Sequence, residues 1–538
     1  MTSSKEIQNP WLLPSSWQWA KIEEVANTTS GGTPRRDRPE FYGGNIPWVK
    51  SGELKDGVVH QTEESITEQA LAASSAKLFP KGTVCIALYG ATVGRLGILG
   101  LDAATNQAVC GIFPTKAVLP WFVFRFLQLI RQHLVQLGKG GAQPNISQSI
   151  VRQTQVSVAP VNEQLRILEE IDKQFTRLDA AVAALKRIQA NLKRYRAAVL
   201  KAACEGRLVP TEAELARREG RSYEPASVLL ERILAERRSR WEAAQLTKFR
   251  AAGKAPKDNK WKLDYKAATQ PEKPQPDELP EGWTWATVGQ LAALEPNSIT
   301  DGPFGSNLKT EHYATSGPRV IRLQNIGEGV FVDAKAHISQ EHFEKLTKHR
   351  VYAGDIVIAG LGERPPRSCV IPSSIGAAIV KADCIRFKPA PQVAVGIFLN
   401  LVLNAEPTKA RMAEIVHGVG RPRLNLGEIK AIVVPLPPIK EQSRILSEAE
   451  RRFSIIDEME TAFEADRRRA ERLRQGILKR AFEGRLVPQN PKDESASILL
   501  ERIRAERAGS SRNSPLKQRA LRLKENQCED SSPRRSLS

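Results

Sequence analysis

The sequence is internally duplicated, and this duplication limits the possible folds more than any other feature. The hexapeptide EGRLVP occurs at Glu205–Pro210 and again at Glu483–Pro488. The similarity extends back without a gap over the segments 163–210 and 441–488, where EQLRILEE becomes EQSRILSE. The period of this repeat is far longer than the 20–50 residues of a solenoid repeat. The chain is therefore predicted to contain two equivalent units.

Two further pairs of segments support the duplication. The segment LPSSWQWA, from Leu13, is matched by LPEGWTWA from Leu279, and ASVLLERILAER, from Ala226, is matched by ASILLERIRAER from Ala496. All of the matched segments follow one another in the same order in the two copies. Chance similarity between two basic helices does not explain this order, so we interpret the two halves as copies with small insertions or deletions.

Each copy contains a long amphipathic segment. From Val161 the apolar residues are spaced three or four apart until Gly206, which predicts one helix of roughly 40 residues and about 60 Å. Such a helix is too long for one small core to cover, and the second copy supplies a matching helix. We expect the two to bury their apolar seams as a coiled coil. The predicted seam residues are Leu168, Phe175, Leu178, Val182, Leu185, Leu192, Phe453, Ile456, Phe463, Leu473 and Ile477.

The segments before the two long helices differ from them in character. They are rich in Gly, Pro and Thr and contain short apolar runs such as GTVCIALYG, which is typical of strands joined by turns with interspersed helices. The predicted fold class is α+β, with two similar mixed α/β domains separated by two long helices. The predicted segments are 1–160 and 279–437 for the mixed domains, 161–210 and 438–488 for the long helices, 211–278 for a charged helix with a linker, and 489–538 for a short helix with a disordered basic tail.

Composition narrows the classes of partner. The chain has 80 Lys and Arg against 60 Asp and Glu, a formal net charge of +20, and a large polyanion is the natural partner for such a charge. The sequence has neither an apolar run of transmembrane length nor a signal-peptide pattern at its first residues, so we expect a cytoplasmic protein. The six cysteines lack the spacing of a metal site and are expected to be reduced thiols.

No catalytic signature is found in the sequence. It contains no phosphate-binding GxxxxGK[ST] loop, no HExxH, no GxSxG and no Asn/Asp-Pro-Pro-Tyr/Phe motif of an amino-group methyltransferase. Three classes of function stay open at this point: a DNA-reading subunit without catalysis, a self-contained nuclease or methyltransferase, and a coiled-coil scaffold for other proteins. The missing motifs favour the first over the second.

Glycine-rich loops in both copies carry residues suited to reading bases. Glycine lets the backbone approach a ligand closely, and Arg, Asn and Gln can bind base edges through paired hydrogen bonds. A single loop of this kind is more often an ordinary tight turn, but five of them on a basic chain favour DNA recognition. The candidate DNA-binding residues are Thr33, Arg35, Arg36, Lys50, Thr92, Arg95, Asn106, Gln107, Ser306, Asn307, Lys309, Arg322, Gln324, Asn325, Arg421 and Arg423.

These motifs together resemble the specificity subunits of Type I restriction-modification enzymes. The resemblance rests on GGTPRRDRPEFYGGNIPWVKSGEL, GATVGRLGIL with ATNQAV, DGPFGSNLKTEHY with VIRLQNIG, and the lead-in PLPPIKEQSRIL to a helix that ends in EGRLVP. It covers residues 13–210 and 279–488. The insertion before Leu279 and the tail after Arg507 are longer than a minimal member of the family needs.

The resemblance implies a fold, partners and cofactors. It implies two target recognition domains, each reading half of a split site in double-stranded DNA, and two helices packed antiparallel between them. It also implies two modification subunits and two restriction subunits as partners. S-adenosylmethionine, ATP and Mg²⁺ are then used by those partners, and this chain is expected to bind no cofactor and to catalyse no reaction.

Overall fold

The structure is a computed structural model. It describes residues 11–138, 145–256, 258–271, 278–413, 415 and 422–512. Contacts divide the chain into two compact units. Unit 1 comprises Met1–Leu185 and Glu464–Ser538, and unit 2 comprises Lys186–Phe463. The boundary falls within both long helices, so each helix contributes one part to each unit. The compact units therefore do not coincide with the consecutive segments predicted from the sequence.

The first part of the chain alternates short strands and helices up to the first long helix. The elements are β1 (Gln18–Lys21), α1 (Ile22–Val25), β2 (Ala26–Ser30), β3 (Tyr42–Val49), β4 (Gly57–Val59), β5 (Glu64–Ile66), α2 (Glu68–Ala72), β6 (Leu78–Phe79), β7 (Val84–Ala87), β8 (Leu96–Leu99), β9 (Ala103–Thr105), β10 (Val109–Pro114), α3 (Pro120–Leu137), α4 (Gln148–Gln153) and β11 (Gln155–Val158).

The middle of the chain is helical. It contains α5 (Val161–Cys204), α6 (Glu212–Glu219) and α7 (Ala226–Ala251). After α7 a short 3-10 helix, Lys260–Asp264, places Trp261 against Trp241 of α7, with ring centroids 5.9 Å apart. Part of the segment predicted to be a linker therefore packs against α7 through its aromatic residues. Its Lys- and Pro-rich composition did not indicate this packing.

The second mixed domain repeats the first. Its elements are β12 (Thr284–Thr287), β13 (Ile299–Thr300), β14 (Tyr313–Ile321), β15 (His337–Ile338), α8 (Gln340–Lys345), β16 (Arg350–Val351), β17 (Ile356–Ala359), β18 (Arg367–Val370), β19 (Ala378–Val380), β20 (Cys384–Phe387), α9 (Gly396–Asn404), α10 (Glu406–Ala413), α11 (Leu426–Ala431) and β21 (Val433–Leu436). The chain then continues into α12 (Ile439–Phe482) and α13 (Ala496–Arg512).

The sheets of the two units have corresponding strand orders. Unit 1 has sheets β2-β10-β7-β8-β4, β5-β3-β9-β6 and β1-β11, and unit 2 has sheets β13-β20-β17-β18, β15-β14-β19-β16 and β12-β21. In the middle sheets β3 pairs in parallel with β9, and β14 pairs in parallel with β19. Unit 1 differs by the additional edge strand β4. The structure therefore confirms the mixed α/β class and the two similar domains.

The two long helices each contain 44 residues, as the spacing of apolar residues predicted. Within unit 1, Asp179 pairs with Arg474 and Arg166 pairs with Asp493 at 2.7 Å, so the facing segments run antiparallel. Within unit 2, Arg196 pairs with Asp457, and Arg444 contacts the Pro210 carbonyl oxygen, which gives the same order.

The predicted seam residues differ in how deeply they are buried. Phe175 and Ile456 are almost fully buried, and Leu192 is 9% exposed. Leu168, Leu178, Ile477 and Phe453 are partly buried against the two cores, and Val182, Leu185 and Phe463 have intermediate exposure. Leu473 is 49% exposed, so its predicted place in the seam is corrected.

The repeated hexapeptide ends each long helix in the core of a unit. Gly206 and Gly484 have φ values of +66° and +69°, a left-handed conformation in which glycine ends a helix without strain. A Cβ on Gly206 would lie 2.4 Å from Pro280 Cγ in unit 2, and one on Gly484 would lie 2.4 Å from Pro14 Cγ in unit 1. The EGRLVP turn therefore packs against the LPxxW segment that begins the mixed domain of the same unit.

Candidate nucleic-acid interface

Loops of unit 1 that are distant in sequence meet at one end of its sheets. Ser30, the last residue of β2, pairs with Cys110 near the start of β10. Ala87, the last residue of β7, pairs with Val109 at the start of β10. β3 ends next to β9 through the hydrogen bond from Asn106 N to Val49 O, 3.0 Å long. We call this set of loops, residues 31–38, 50–53, 88–95 and 105–108, loop edge 1. All eight residues that the sequence predicted in unit 1 lie on it.

Unit 2 brings the corresponding loops together in the same way. Lys381 N donates to Ile321 O at 2.9 Å, as Asn106 N does to Val49 O, and Gly360 N donates to Asp383 O at 2.9 Å, as Leu88 N does to Ala108 O at 2.7 Å. We call residues 301–309, 322–325, 360–366, 381–383 and 422–424 loop edge 2. Seven of the eight residues predicted in unit 2 lie on loop edge 2, and Arg421 lies outside the described residues.

The cationic side chains of loop edge 1 are arranged around acidic partners. Arg36 contacts Glu64 at 2.8 Å, and Lys50 contacts Glu64 at 3.0 Å and Glu63 at 2.9 Å. The hydrogen bonds from Arg36 and Lys50 hold the pKa of Glu64 below its usual value, so this carboxylate stays ionised. Arg36 also lies 5.1 Å from the ring centroid of Trp48. The two cations are thus held in fixed positions, and a phosphate would compete with Glu64 for them.

The other residues of loop edge 1 are less constrained. Arg35 is exposed and pairs with Asp37 at 2.6 Å. Arg95 is exposed, its backbone N donates to Thr92 O at 2.9 Å, and its side chain has no ion pair among the described residues. Arg95 is therefore the predicted cation of unit 1 that is most available to a ligand.

Amide side chains lie at the centre of loop edge 1. Thr33 donates its hydroxyl to the amide oxygen of Gln107. The amide oxygen of Asn106 is buried without a hydrogen-bond partner in the described part of the chain. The close approach of Gly31 makes this arrangement possible, because a Cβ there would lie 2.2 Å from the Thr105 carbonyl oxygen.

In loop edge 2 the predicted residues divide into exposed and structural ones. Arg423 pairs with Asp383 at 2.7 Å and lies 5.7 Å from the ring centroid of Phe304, which is 45% exposed. Lys309 lies 3.6 Å from Glu311. Ser306 and Asn307 lie in the short 3-10 helix Gly305–Asn307, and the Asn307 carbonyl oxygen accepts a hydrogen bond from His342.

Arg322, Gln324 and Asn325 have three different environments. Gln324 is exposed, and Arg322 donates to the carbonyl oxygens of residues 334 and 335 at 3.4 and 3.2 Å. Asn325 is fully buried and donates to the carbonyl oxygens of residues 332 and 334, both at 2.8 Å. Its amide oxygen accepts from Arg322 N at 2.9 Å. Asn325 therefore braces the loop, and we remove it from the candidate base-reading residues.

A pair of residues that was not predicted from the sequence anchors each long helix to its mixed domain. Glu163 and Glu441 are buried and accept hydrogen bonds from the indoles of Trp17 and Trp283, at 3.0 and 2.9 Å. Burial raises the pKa of both carboxyl groups.

The glutamine that follows each buried glutamate completes this anchor. Gln164 donates to the carbonyl oxygens of residues 117 and 159 at 2.8 and 2.9 Å, and Gln442 donates to those of residues 393 and 437 at 3.0 and 2.9 Å. The signal was present in the sequence, because the dipeptide Glu-Gln stands at the same place in both copies.

Comparison with known proteins agrees with this architecture. Residues 14–194 match the family model of the Type I restriction modification DNA specificity domain. The chain is 22% identical to the Type I restriction enzyme EcoKI specificity subunit of Escherichia coli strain K12, over 93% of this chain and 97% of that protein. It is 27% identical to the EcoBI specificity subunit of Escherichia coli, over 68% of this chain and 67% of that protein.

A solved structure from work on complex assembly and conformational transition of the type I R-M system has the same fold. It superimposes with a TM-score of 0.54 at 18% identity and covers 89% of this chain and all of that one. Both relatives are named specificity subunits of Type I restriction enzymes. Residues 14–194 therefore contain a Type I restriction modification DNA specificity domain, and the chain is similar over most of its length to specificity subunits of Type I restriction enzymes.

Proposed function

We propose that the chain reads a bipartite site in double-stranded DNA, with one loop edge for each half of the site. The observation that carries this proposal is the meeting of the predicted loops at one sheet end in both units. Each edge combines exposed cations with amide groups, the residue types that bind phosphates and base edges. The net charge of +20 would provide the sequence-independent attraction on which such reading depends.

The two halves of the site would differ in sequence. Loop edges 1 and 2 have corresponding backbone hydrogen bonds but different side chains, with Asn106 where unit 2 has Lys381 and Lys50 where it has Arg322. Side chains specify the bases in direct readout, so equivalent backbones with different side chains support two different half-sites. The two long helices would fix the number of unread base pairs between them.

The long helices would also bind two modification subunits. In unit 2, Ile188 and Tyr195 of α5 are 42% and 45% exposed, and Ile455 and Met459 of α12 are 41% and 45% exposed. Apolar side chains exposed at helical spacing support a protein interface. Two restriction subunits would join this core. S-adenosylmethionine, ATP and Mg²⁺ would be used by these partners in the cytoplasm, while this chain binds none of them and directs adenine methylation and ATP-dependent restriction.

The first test is DNA selection by the full-length chain from a random duplex library. We expect two short sequences separated by a fixed number of unread base pairs, and an affinity that falls as salt increases. Replacing Lys50 and Arg95 by Ala should reduce the slope of log K against log salt by about two if both contact phosphates. Replacing the exposed Arg472 and Arg480 of α12 by Ala is the matched control and should leave that slope unchanged.

Two other functions are distinguished by the same preparation. A scaffold for proteins would enrich no sequence from the library. Transfer of a labelled methyl group from S-adenosylmethionine by the purified chain would identify a self-contained methyltransferase. A native mass spectrum that includes the proteins encoded beside it should show two modification subunits on each copy of this chain.

A further inference from the structure

One hairpin loop occupies the same place on both loop edges. In unit 1 the loop 88–94 joins β7 to β8, and in unit 2 the loop 360–366 joins β17 to β18. Ala87 N donates to Arg95 O at 2.8 Å in unit 1, and Ala359 is paired with Arg367 in unit 2. Both loops therefore hold seven residues between the same two points of the sheet.

A second contact fixes the position of residues within these loops. Ile146 N donates to Leu88 O at 2.7 Å, and Leu424 N donates to Gly360 O at 2.7 Å. Bridges follow at the next residue of each loop, Tyr89↔Asn145 and Leu361↔Arg423. Counting onward from these bridges places Glu363 of unit 2 where unit 1 has Ala91.

Glu363 is an exposed carboxylate without a partner among the described residues. It forms no hydrogen bond or ion pair with any described residue, although cations lie on the same loop edge. Its neighbour Arg364 is paired with Glu406, and Arg367 donates to the Leu323 carbonyl oxygen at 3.3 Å. Neither of these two described cations of the hairpin therefore neutralises the carboxylate of Glu363.

The backbone beside Glu363 is held on both sides. Gly362 N donates to Pro422 O at 3.2 Å, and Pro365 and Pro366 are buried. The backbone at this position therefore loses little conformational freedom when the side chain binds a ligand. Beside phosphates an unpaired carboxylate would be repelled, so its presence on a DNA-binding edge is favourable only where it meets a hydrogen-bond donor.

We propose that Glu363 reads a cytosine in the half-site of unit 2, an inference that rests on the DNA-reading function proposed above. In the major groove cytosine offers its N4 amino group as a donor, and a carboxylate is an acceptor. Adenine also offers an amino group, at N6, but places the acceptor N7 beside it, which repels a carboxylate. Ala91 has no polar atom, so the same position of unit 1 makes no such contact and the two half-sites differ there.

The test is selection from a random duplex library by the full-length chain and its variants. Glu363→Ala should lower the preference for cytosine at one position of one half-site by about tenfold, with the other half-site unchanged. Ala91→Glu should add a cytosine preference to the other half-site, which a merely structural role of Glu363 would not produce. Glu231→Gln, at an exposed α7 carboxylate without a partner among the described residues, is the matched control and should leave both half-sites unchanged.

Two outcomes would overturn this inference alone. One is an unchanged pair of half-sites in both the Glu363→Ala and Ala91→Glu variants. The other is a uniform rise in affinity of Glu363→Ala for all sequences, which would mean that the carboxylate only repels the phosphate backbone. If the unmodified chain selects no sequence from the library, the proposed DNA-reading function itself fails, and the inference fails with it.

Discussion

The close contact at the end of each long helix predicts a specific difference between two glycine substitutions in unit 2. Gly206 and Gly220 have similar left-handed backbones, with φ values of +66° and +63°. A Cβ on Gly206 would lie 2.4 Å from Pro280 Cγ and 3.1 Å from Trp283 Cζ2, whereas one on Gly220 would meet no atom within 4 Å. Alanine at either position adds the same backbone strain, and only at Gly206 does it add a clash.

The two costs can be estimated separately. A non-glycine residue in the left-handed region costs roughly 1 kcal/mol, so we expect Gly220→Ala to lower the free energy of unfolding of unit 2 by about that amount. An extra methyl group in a packed site costs roughly a further 1–3 kcal/mol, so Gly206→Ala should cost about 3 kcal/mol. Gly484→Ala should reproduce this larger effect in unit 1, because its Cβ would lie 2.4 Å from Pro14 Cγ.

Hydrogen exchange is the suitable measurement, because it reports each unit separately in a chain with two cores. The slowest amides of β17 report unit 2, and those of β7 report unit 1. If Gly206→Ala and Gly220→Ala lowered the protection of the slowest unit 2 amides equally, the contact with Pro280 would contribute nothing and the reasoning would be refuted. A loss of protection in unit 1 from Gly206→Ala would refute the assignment of this turn to unit 2.

Three further predictions follow from the helices and loops. Inserting four residues near Ala190, with a matched insertion near Arg468, should lengthen each long helix by roughly 6 Å, and the unread gap of the DNA site should grow by one or two base pairs with unchanged half-sites. Methylome sequencing measures the gap, and an unchanged gap would show that the helices do not set it. Burial raises the pKa of Glu441 above its unfolded value of 4.5. At a pH below 4.5 this group therefore contributes its full stabilisation of the folded state, and that contribution is lost as pH rises through the folded pKa. In urea unfolding, the free energy of unfolding of Glu441→Gln should therefore increase relative to that of the unmodified chain as pH rises from 4 to 7. A difference that stays constant with pH would contradict the assignment. In library selection, Gln324→Ala should weaken base discrimination in one half-site by roughly 1–3 kcal/mol. Asn325→Ala should instead increase the rate of hydrogen exchange in its loop. The reverse pattern in these two measurements would mean that Asn325 reads a base and Gln324 braces the loop.

Much of this protein follows from its sequence alone. The duplication determined that two similar units exist, because copied segments with the same pattern of apolar residues build the same core. The spacing of apolar residues determined the two helices of 44 residues, because a period of three or four residues is a local property of the chain. Glycine-rich segments with Arg, Asn and Gln identified the loops that meet at the two edges, because turn residues also carry a local signal.

The tertiary structure decided what depends on contacts between distant residues. The first EGRLVP turn packs against Pro280 and the second against Pro14, so each unit is completed by a helix end from the other copy, and a repeat alone does not specify that exchange. Asn325 is a loop brace although its residue type suits base reading, because the neighbouring backbone takes both of its polar atoms. Glu363 lay in a segment without a recognisable motif, and the pairing of β17 with β18 brought it to the loop edge. Local patterns specify elements, whereas burial and the supply of hydrogen-bond partners are set by which elements pack together, and only the folded chain determines that.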